Sequence, residues 1–403
     1  MPPTVRLPIL AMTISILSAW VFTIDFEGNM LKFTLSLLLS LFSLSLHANA
    51  IIDLNEGLTL AQIENGGQLN TLAVVEDEGR AIKGINLSEV TDVAGDIVST
   101  YQRLGYEKIA DIVLANRASL TNRYPYSQLL SPAGTGRHHI ALGLNYPEHA
   151  DEVEADRRPF LFLKTTRATR EQSITTGDTI LLDYEIEVCA RPLQDIDADD
   201  RPASLVFGFF ICGDFTDRAA LMRGIDLDNM QSGRGFSVAK SREGFFPTGP
   251  YLVIPKDREA FLTTTSFSLY RGNALKQASS TANMIWSLDT IVDEIFTAQR
   301  SKRPTHSSKS KQWLNDDKIT TDMVVLTGTP DGVIMRPPSF GFKFASGIGY
   351  LFKGGIFDMS LRDYVVRSYI KDLFSQGIFL QGGERVVAAG DFMGRIDMQV
   401  VVE

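Results

Sequence analysis

The chain has 403 residues, 44% of them hydrophobic and 22% charged, which is enough for a sizeable buried core. A net charge of −9 with no basic domain excludes nucleic acid as the expected partner. Five histidines and two cysteines are too few for a zinc framework.

The first elements are targeting signals. From Met30 the chain reads Leu31-Lys32, then 14 mostly apolar residues from Phe33 to Leu46, then His47-Ala48-Asn49-Ala50. A short basic start, an apolar stretch too short to span a bilayer and an Ala-x-Ala site predict a signal peptide over 30–50, cleaved near Ala50. The mature protein is then periplasmic or secreted, with no stable membrane association. Residues 1–29 fit less well, because Leu7–Ile24 is a second apolar run of 18 residues. Either translation starts at Met30 and the upstream segment is a mis-assigned start, or that run is an anchor.

Residues 51–135 read as a smaller, partly helical region. Val90, Val93, Ala94, Ile97, Val98, Tyr101 and Leu104 follow one helix face, with Asn86 and Glu89 as a capping-box start and Gly105 as the stop. A second short helix is expected over Glu107–Asn116. From His138 the pattern changes to short β runs: Ile140–Leu144, Phe160–Leu163, Ile180–Ala190, Leu205–Cys212, Tyr251–Ile254, Met323–Leu326 and Met398–Val402. Helices are expected at Ser280–Gln299 and Ser360–Ser375. The fold class is α+β and β-rich, with a mostly antiparallel or mixed sheet and a catalytic domain over 136–403. The basic stretch from Arg300-Ser301-Lys302-Arg303 to Lys311 reads as a solvated loop.

Within the β region, Glu185 and Glu187 stand two apart on one strand face, and Asp214 follows the apolar run that ends at Cys212. A lone Glu-x-Glu is ordinarily the wet face of a strand. Three carboxylates gathered by buried strands repel one another unless a cation lies between them, so the trio reads as a divalent-metal site. His149 and Glu152 are spaced i, i+3, so one helical turn sets them side by side, where the carboxylate fixes the tautomer of an imidazole base.

These residues belong to a series in fixed order. It runs Gly143-Leu144-Asn145-Tyr146 with His149 and Glu152, then Pro159-Phe160-Leu161-Phe162-Leu163-Lys164, then Asp183-Tyr184-Glu185-Ile186-Glu187. Asp214-Phe215-Thr216-Asp217-Arg218, Lys240-Ser241, Pro247-Thr248-Gly249-Pro250 and Thr327-Gly328-Thr329-Pro330-Asp331-Gly332-Val333 complete it. The series closely resembles the fumarylacetoacetate hydrolase family, from about residue 130 to 335 and again over the last 20 or so residues.

The resemblance implies a β-sandwich or roll of that family's type. It implies Glu185, Glu187 and Asp214 as ligands to Mg²⁺, Mn²⁺ or Ca²⁺, for which three oxygen donors are suited. His149 and Glu152 would activate water, and Lys240 would be the catalytic cation. Arg218, Thr329 and Tyr146 would bind substrate, whereas Lys164 reads equally well as an exposed lysine. The implied activity is metal-dependent hydrolysis of a C–C bond in a β-diketone or acylpyruvate-like keto acid by a homodimer. Decarboxylation, hydration or isomerisation of 2-keto acids on the same metal is the alternative. A non-catalytic secreted protein that binds metal and keto acid is the reading from a different class.

Three departures from the family stand out. Gly213 precedes Asp214 where Asn is common, Ala219 and Leu221 replace an Asp and a Gln after Arg218, and segments 300–320 and 337–380 look enlarged. The enlarged 337–380 segment could cap the pocket or join subunits. An antiparallel register with Glu187 opposite Asp214 would set Cys189 opposite Cys212. The favoured expectation is two buried thiols, with a disulfide as the alternative in an oxidising compartment.

Overall fold

The computed structural model describes residues 51–403 apart from 120, 171, 201–204, 227, 302–312, 340, 344–345, 347–349 and 351–359. The expected upstream segment, the signal peptide and most of the basic stretch lie outside the described residues. The strands in chain order are β1 (Gly57–Asn65), β2 (Gln68–Asp77), β3 (Ala81–Asn86), β4 (Asn122–Pro125), β5 (His139–Gly143) and β6 (Phe160–Lys164). Then come β7 (Ser173–Thr176), β8 (Leu182–Asp183), β9 (Ile186–Pro192), β10 (Phe207–Gly213), β11 (Thr216–Asp217) and β12 (Leu252–Pro255). The last are β13 (Ser266–Arg271), β14 (Ala274–Ser280), β15 (Val325–Leu326), β16 (Arg385–Gly390) and β17 (Gly394–Val402).

Ten strands form one mixed sheet in the order β4-β3-β2-β1-β12-β10-β9-β15-β5-β6. All its pairings are antiparallel except β15 with β5. A five-stranded sheet, β14-β13-β16-β17-β7, and a two-strand ladder of β11 with β8 complete the set. The expected α+β, β-rich class is what the chain adopts.

Alternation along β9 and β10 explains why both faces are buried. Ile186, Val188, Ala190, Phe209 and Ile211 enter one apolar cluster, while Cys189, Phe210 and Cys212 enter another. Strands covered on both sides carry no solvent face, so a carboxylate on them is buried whichever way it points. Glu187 and Asp214 accordingly have 0% exposure.

Several local expectations change in the structure. The run 180–190 is not one strand: it breaks at Tyr184-Glu185, between β8 and β9. There Asp183 turns aside to accept from Arg218, and the Ile186 N–H goes to Gln277 Oε1 at 3.0 Å instead of to a strand partner. The register sets Glu187 opposite Cys212, two residues off the expected pairing with Asp214. Cys189 faces Phe210 and reaches Cys212 diagonally, and the two are joined as a disulfide rather than left as thiols.

The helix expected from Asn86 runs only from Leu87 to Val90, although Asn86 does cap it and accepts from Ser88 N. A new helix starts at Ile97, capped by Asp96, and Gly105 breaks it at φ 73° before it resumes to Asn116. The helix expected from Ser280 begins at Leu288, because Ser280 belongs to β14. The helix expected at 360–375 spans Leu361–Gln376 with Ser360 as its cap.

Candidate metal centre

Each carboxylate of the trio arrives by a different route. Glu185 sits in the break before β9, Glu187 on β9 itself, and Asp214 just beyond β10, where its N–H donates to Glu185 O at 2.8 Å. One carboxylate oxygen from each lies within 4.8 Å of the others. All three side chains are buried.

Three cations surround them. Lys240 Nζ donates to Glu185 Oε2 at 2.5 Å and stands 2.9 Å from Asp214 Oδ2. Lys164 Nζ donates to Asp214 Oδ1 at 2.6 Å and to the carbonyls of Lys240 and Phe245 at 2.5 and 3.1 Å. Arg218 Nη2 donates to Glu185 Oε1 at 2.7 Å and its Nε to Asp183 Oδ2 at 2.8 Å. Asp217 caps the helix Arg218–Gly224 through the N–H groups of Ala219 and Ala220, which fixes Arg218 at the first helical position.

The electrostatics follow from burial and these neighbours. Burial alone would push the Glu185 carboxyl up, but Lys240 and Arg218 hold it down to about 2. Burial and the charge of Asp214 push Glu187 well above the usual carboxylate range. Burial lowers Lys164 despite its pairing with Asp214, whereas for Lys240 the attraction of Asp214 and Glu185 outweighs burial and raises it.

The residues fit a divalent cation. Glu187 Oε2 takes the Gly328 N–H at 2.8 Å, yet Glu187 Oε1 is buried with no hydrogen-bond partner, and Asp214 Oδ2 has only the Lys240 ammonium, at 2.9 Å. Among the described residues, the lysines and arginines paired with Asp183, Glu185 and Asp214 are Lys164, Arg218 and Lys240, and Glu187 has no ion pair. An unsatisfied anionic oxygen in a site short of positive charge is what an oxygen-ligated metal would complete.

Beside the trio, the expected dyad is present. The short helix Pro147–Glu152 starts with proline at its first position and puts His149 Nδ1 3.2 Å from Glu152 Oε2. Glu152 Oε1 accepts from Gly332 N at 2.9 Å and pairs with Arg336 at 2.8 Å. Burial opposes ionisation of Glu152, but His149, the Gly332 N–H and Arg336 together hold its carboxyl below the ordinary value. His149 is near enough to help hold Glu185 down when protonated.

The loop 327–333 serves both groups. Gly328 at φ +99° gives its amide to Glu187, and Gly332 at φ +101° gives its amide to Glu152. A Cβ on Gly332 would meet Lys276 O at 1.9 Å, so no other residue fits. Asn145 clamps the loop, donating to Thr327 O at 2.8 Å while accepting from Trp286 N at 2.7 Å.

The remaining expected residues fall as follows. Tyr146 is fully buried against Phe267, its hydroxyl has no partner, and burial together with the charge of Glu187 raises its pKa. The Thr329 hydroxyl is committed to Ile186 O at 3.0 Å and accepts from Gln277 Nε2 at 2.9 Å. Arg218 reaches Asp183 and Glu185, within the protein. Ala219 and Leu221 pack in apolar clusters and offer no polar group.

Sequence reasoning left Lys164 open between the site and the surface and missed three further residues, Asp183, Gln277 and Arg336. Lys164 is completely buried on Asp214 rather than exposed. Asp183 spends its oxygens on Arg218 and on the N–H groups of Tyr184, Ile334 and Met335. Gln277 bridges β9 and the 327–333 loop. Arg336 pairs with Glu152, and its carbonyl accepts from Tyr369 OH at 2.8 Å, so the helix in the enlarged 337–380 segment braces the site from outside. A buried-lysine signal was available for Lys164, which ends the apolar run Phe160–Leu163.

A mixed β-rich fold that buries an acidic trio beside a His–Glu dyad defines the class: an α+β protein with a candidate centre for a divalent cation. Residues 138–401 match the family described as fumarylacetoacetate (FAA) hydrolase C-terminal, and the chain belongs to that family. An uncharacterized protein of Staphylococcus aureus (strain USA300) is 27% identical over 222 residues, covering 53% of this chain and 65% of the relative. The match thus spans just under two thirds of that relative's length.

Among solved structures, a fumarylacetoacetate hydrolase from psychrophilic Exiguobacterium antarcticum aligns with TM-score 0.52 at 20% identity, over 86% of this chain and 100% of that one. Maleylpyruvate hydrolase from Sphingobium sp. SYK-6, solved with manganese(II) and pyruvate, aligns with TM-score 0.51 at 17% identity, over 85% and 99%. The 2-hydroxyhepta-2,4-diene-1,7-dioate isomerase of Mycobacterium marinum aligns with TM-score 0.50 at 16% identity, over 86% and 99%. At these identities the likeness is one of fold.

Proposed function

We propose that this protein is a metal-dependent hydrolase that cleaves a C–C bond in an acylpyruvate-like keto acid or β-diketone. The observation that carries the reading is the partnerless buried oxygen of Glu187 within an acidic trio that lies beside the His149–Glu152 pair. A divalent cation held by Glu185, Glu187 and Asp214 would draw electron density from a keto acid chelated through two oxygens. The manganese and pyruvate of the Sphingobium hydrolase support that class of ligand.

The chain's own residues supply the rest. Glu152 holds the His149 Nδ1–H, which leaves Nε2 to take a proton from water. The water oxygen bonds to the carbonyl carbon, the adjacent C–C bond breaks with its electron pair passing to the departing enolate, and His149 returns the proton. Lys240 and Arg218 spend their donors within the protein, on the carboxylates and, for Lys240, on the Asp214 carbonyl as well, so they act as positioning residues that set the charge of the trio. Export belongs to the same proposal, because a Cys189–Cys212 bridge suits an oxidising compartment.

The test is a metal-supplemented screen of acylpyruvates, oxaloacetate and fumarylacetoacetate, followed by ultraviolet absorbance and product analysis. We expect cleavage of an acylpyruvate that stops on chelation and is absent in Glu185→Gln. Carbon dioxide release from oxaloacetate alone would replace hydrolysis with decarboxylation. Metal binding without turnover of any of the three would replace the enzyme with a binding protein.

A further inference from the structure

A cavity of about 270 Å³ lies on residues that the metal centre does not use. Arg80, Arg170 and Arg395 line it, together with Tyr126, Thr248 and Asp397. The three arginines come from distant parts of the chain: the turn before β3, the segment between β6 and β7, and β17. Guanidinium groups brought together by a fold repel one another, so their meeting needs an explanation.

The local partners do not supply one. Arg170 Nη1 donates to Thr248 O at 2.6 Å, but Arg170 Nε is buried without any hydrogen-bond partner. Arg395 Nη2 donates to Gly79 O at 2.7 Å, a neutral acceptor. Among the described residues none of the three forms an ion pair. The one carboxylate in the lining, Asp397, is already held by both nitrogens of Arg385, at 2.7 and 2.5 Å. The Tyr126 hydroxyl is given to Asp77 Oδ2, which also accepts from Tyr251. The lining therefore presents three positive groups and spare N–H donors against a single carboxylate, Asp397, that Arg385 already holds.

We infer that this cavity is a binding site for a small, multiply charged anion, a phosphate or a polycarboxylate, gripped by Arg80, Arg170 and Arg395. Planar guanidinium forks match both kinds of oxyanion. The volume is below the roughly 300–1,000 Å³ of sites for drug-sized ligands, which fits a compact metabolite. Burial pushes Arg170 down to about 10, so it is still a full cation at neutral pH. The site stands independently of the reaction proposed above, since it shares no residue with the trio or the dyad.

The experiment is isothermal titration of the full-length chain, stripped of metal with EDTA and then desalted into chelator-free buffer so that no anion is bridged by metal, with phosphate, citrate and chloride in separate arms. One saturable site for phosphate or citrate and none for chloride is expected. Binding of phosphate alone assigns a phosphorylated ligand, and binding of citrate alone assigns a polycarboxylate. Arg170→Gln and the exposed Arg80→Ala should each weaken binding roughly ten- to hundredfold, while Arg103→Ala on the helix Ile97–Asn116 leaves it unchanged. No heat with either oxyanion overturns the assignment, as does equal affinity in wild type and Arg80→Ala.

Discussion

Gly332 gives its backbone N–H to Glu152 Oε1 at 2.9 Å across 180 residues of sequence, so the loop that serves the metal trio also sets the acid of the dyad. Glu152 is thus fixed on both oxygens, one by the loop and one by His149. Glu152→Gln keeps an oxygen for the loop but removes the charge that steadies a protonated imidazole. Turnover of an accepted keto acid should fall by about 10²–10⁴ with Mn²⁺ affinity unchanged, as read by steady-state kinetics and metal titration. Turnover within twofold of wild type would remove His149 from the role of base.

Glu187→Gln should separate stability from metal binding. Burial and Asp214 raise the folded-state pKa of Glu187, so its charge costs the metal-free protein stability at neutral pH. That cost fades as pH falls toward the ordinary glutamate range, where the group is protonated in both states. In EDTA at pH 7 the variant should therefore unfold at higher denaturant than wild type, with the gap narrowing at pH 4. In the same variant Mn²⁺ binding should weaken by more than about a hundredfold. An unchanged denaturation midpoint in EDTA would show that Glu187 carries no such cost.

His139 should make the protein acid-sensitive. Val324 N–H donates to its Nδ1 and its Nε2 lies 3.1 Å from Gly136 O, so the neutral ring satisfies both partners. Burial lowers its pKa from 6.5 to about 3. Between those values the unfolded chain binds a proton that the folded chain refuses, so stability is full above 6.5 and declines as pH falls. The slope from this group is about 1.4 kcal/mol per pH unit. Urea unfolding from pH 7.5 to 4.5 should show that loss in wild type and a shallower one in His139→Asn.

The Cys189–Cys212 bridge closes a loop over a sequence separation of 23, directly under Glu187 and Asp214. Alkylation under denaturing conditions should add no mass until the protein is reduced. Reduction should lower unfolding stability by about 3 kcal/mol. Two labelled thiols before reduction would contradict the bridge.

What the sequence made legible followed from short-range periodicity. The trio and dyad could be read because their members sit two or three residues apart, or end an apolar run. Asp183, Gln277 and Arg336 were not legible as site residues because the partners that bring them there lie 35 or more residues away, and the distant Asp214 left Lys164 even between site and surface. The break at Tyr184-Glu185 was hidden for the same reason, since a distant Gln277 takes the Ile186 N–H. One local signal was simply passed over: Gly66-Gly67, at φ 60° and 79°, turns β1 into β2 as a two-residue hairpin needs.

Residues 57–60 of β1 run alongside 252–255 of β12, and β12 in turn pairs with β10. A recombinant fragment starting at 136 would therefore leave β12 with a bare row of amides and carbonyls, one strand away from Cys212 and Asp214. Such a naked border invites another molecule to stitch itself on. Anyone trimming this chain to its family-matched portion should expect clumping before any loss of metal binding.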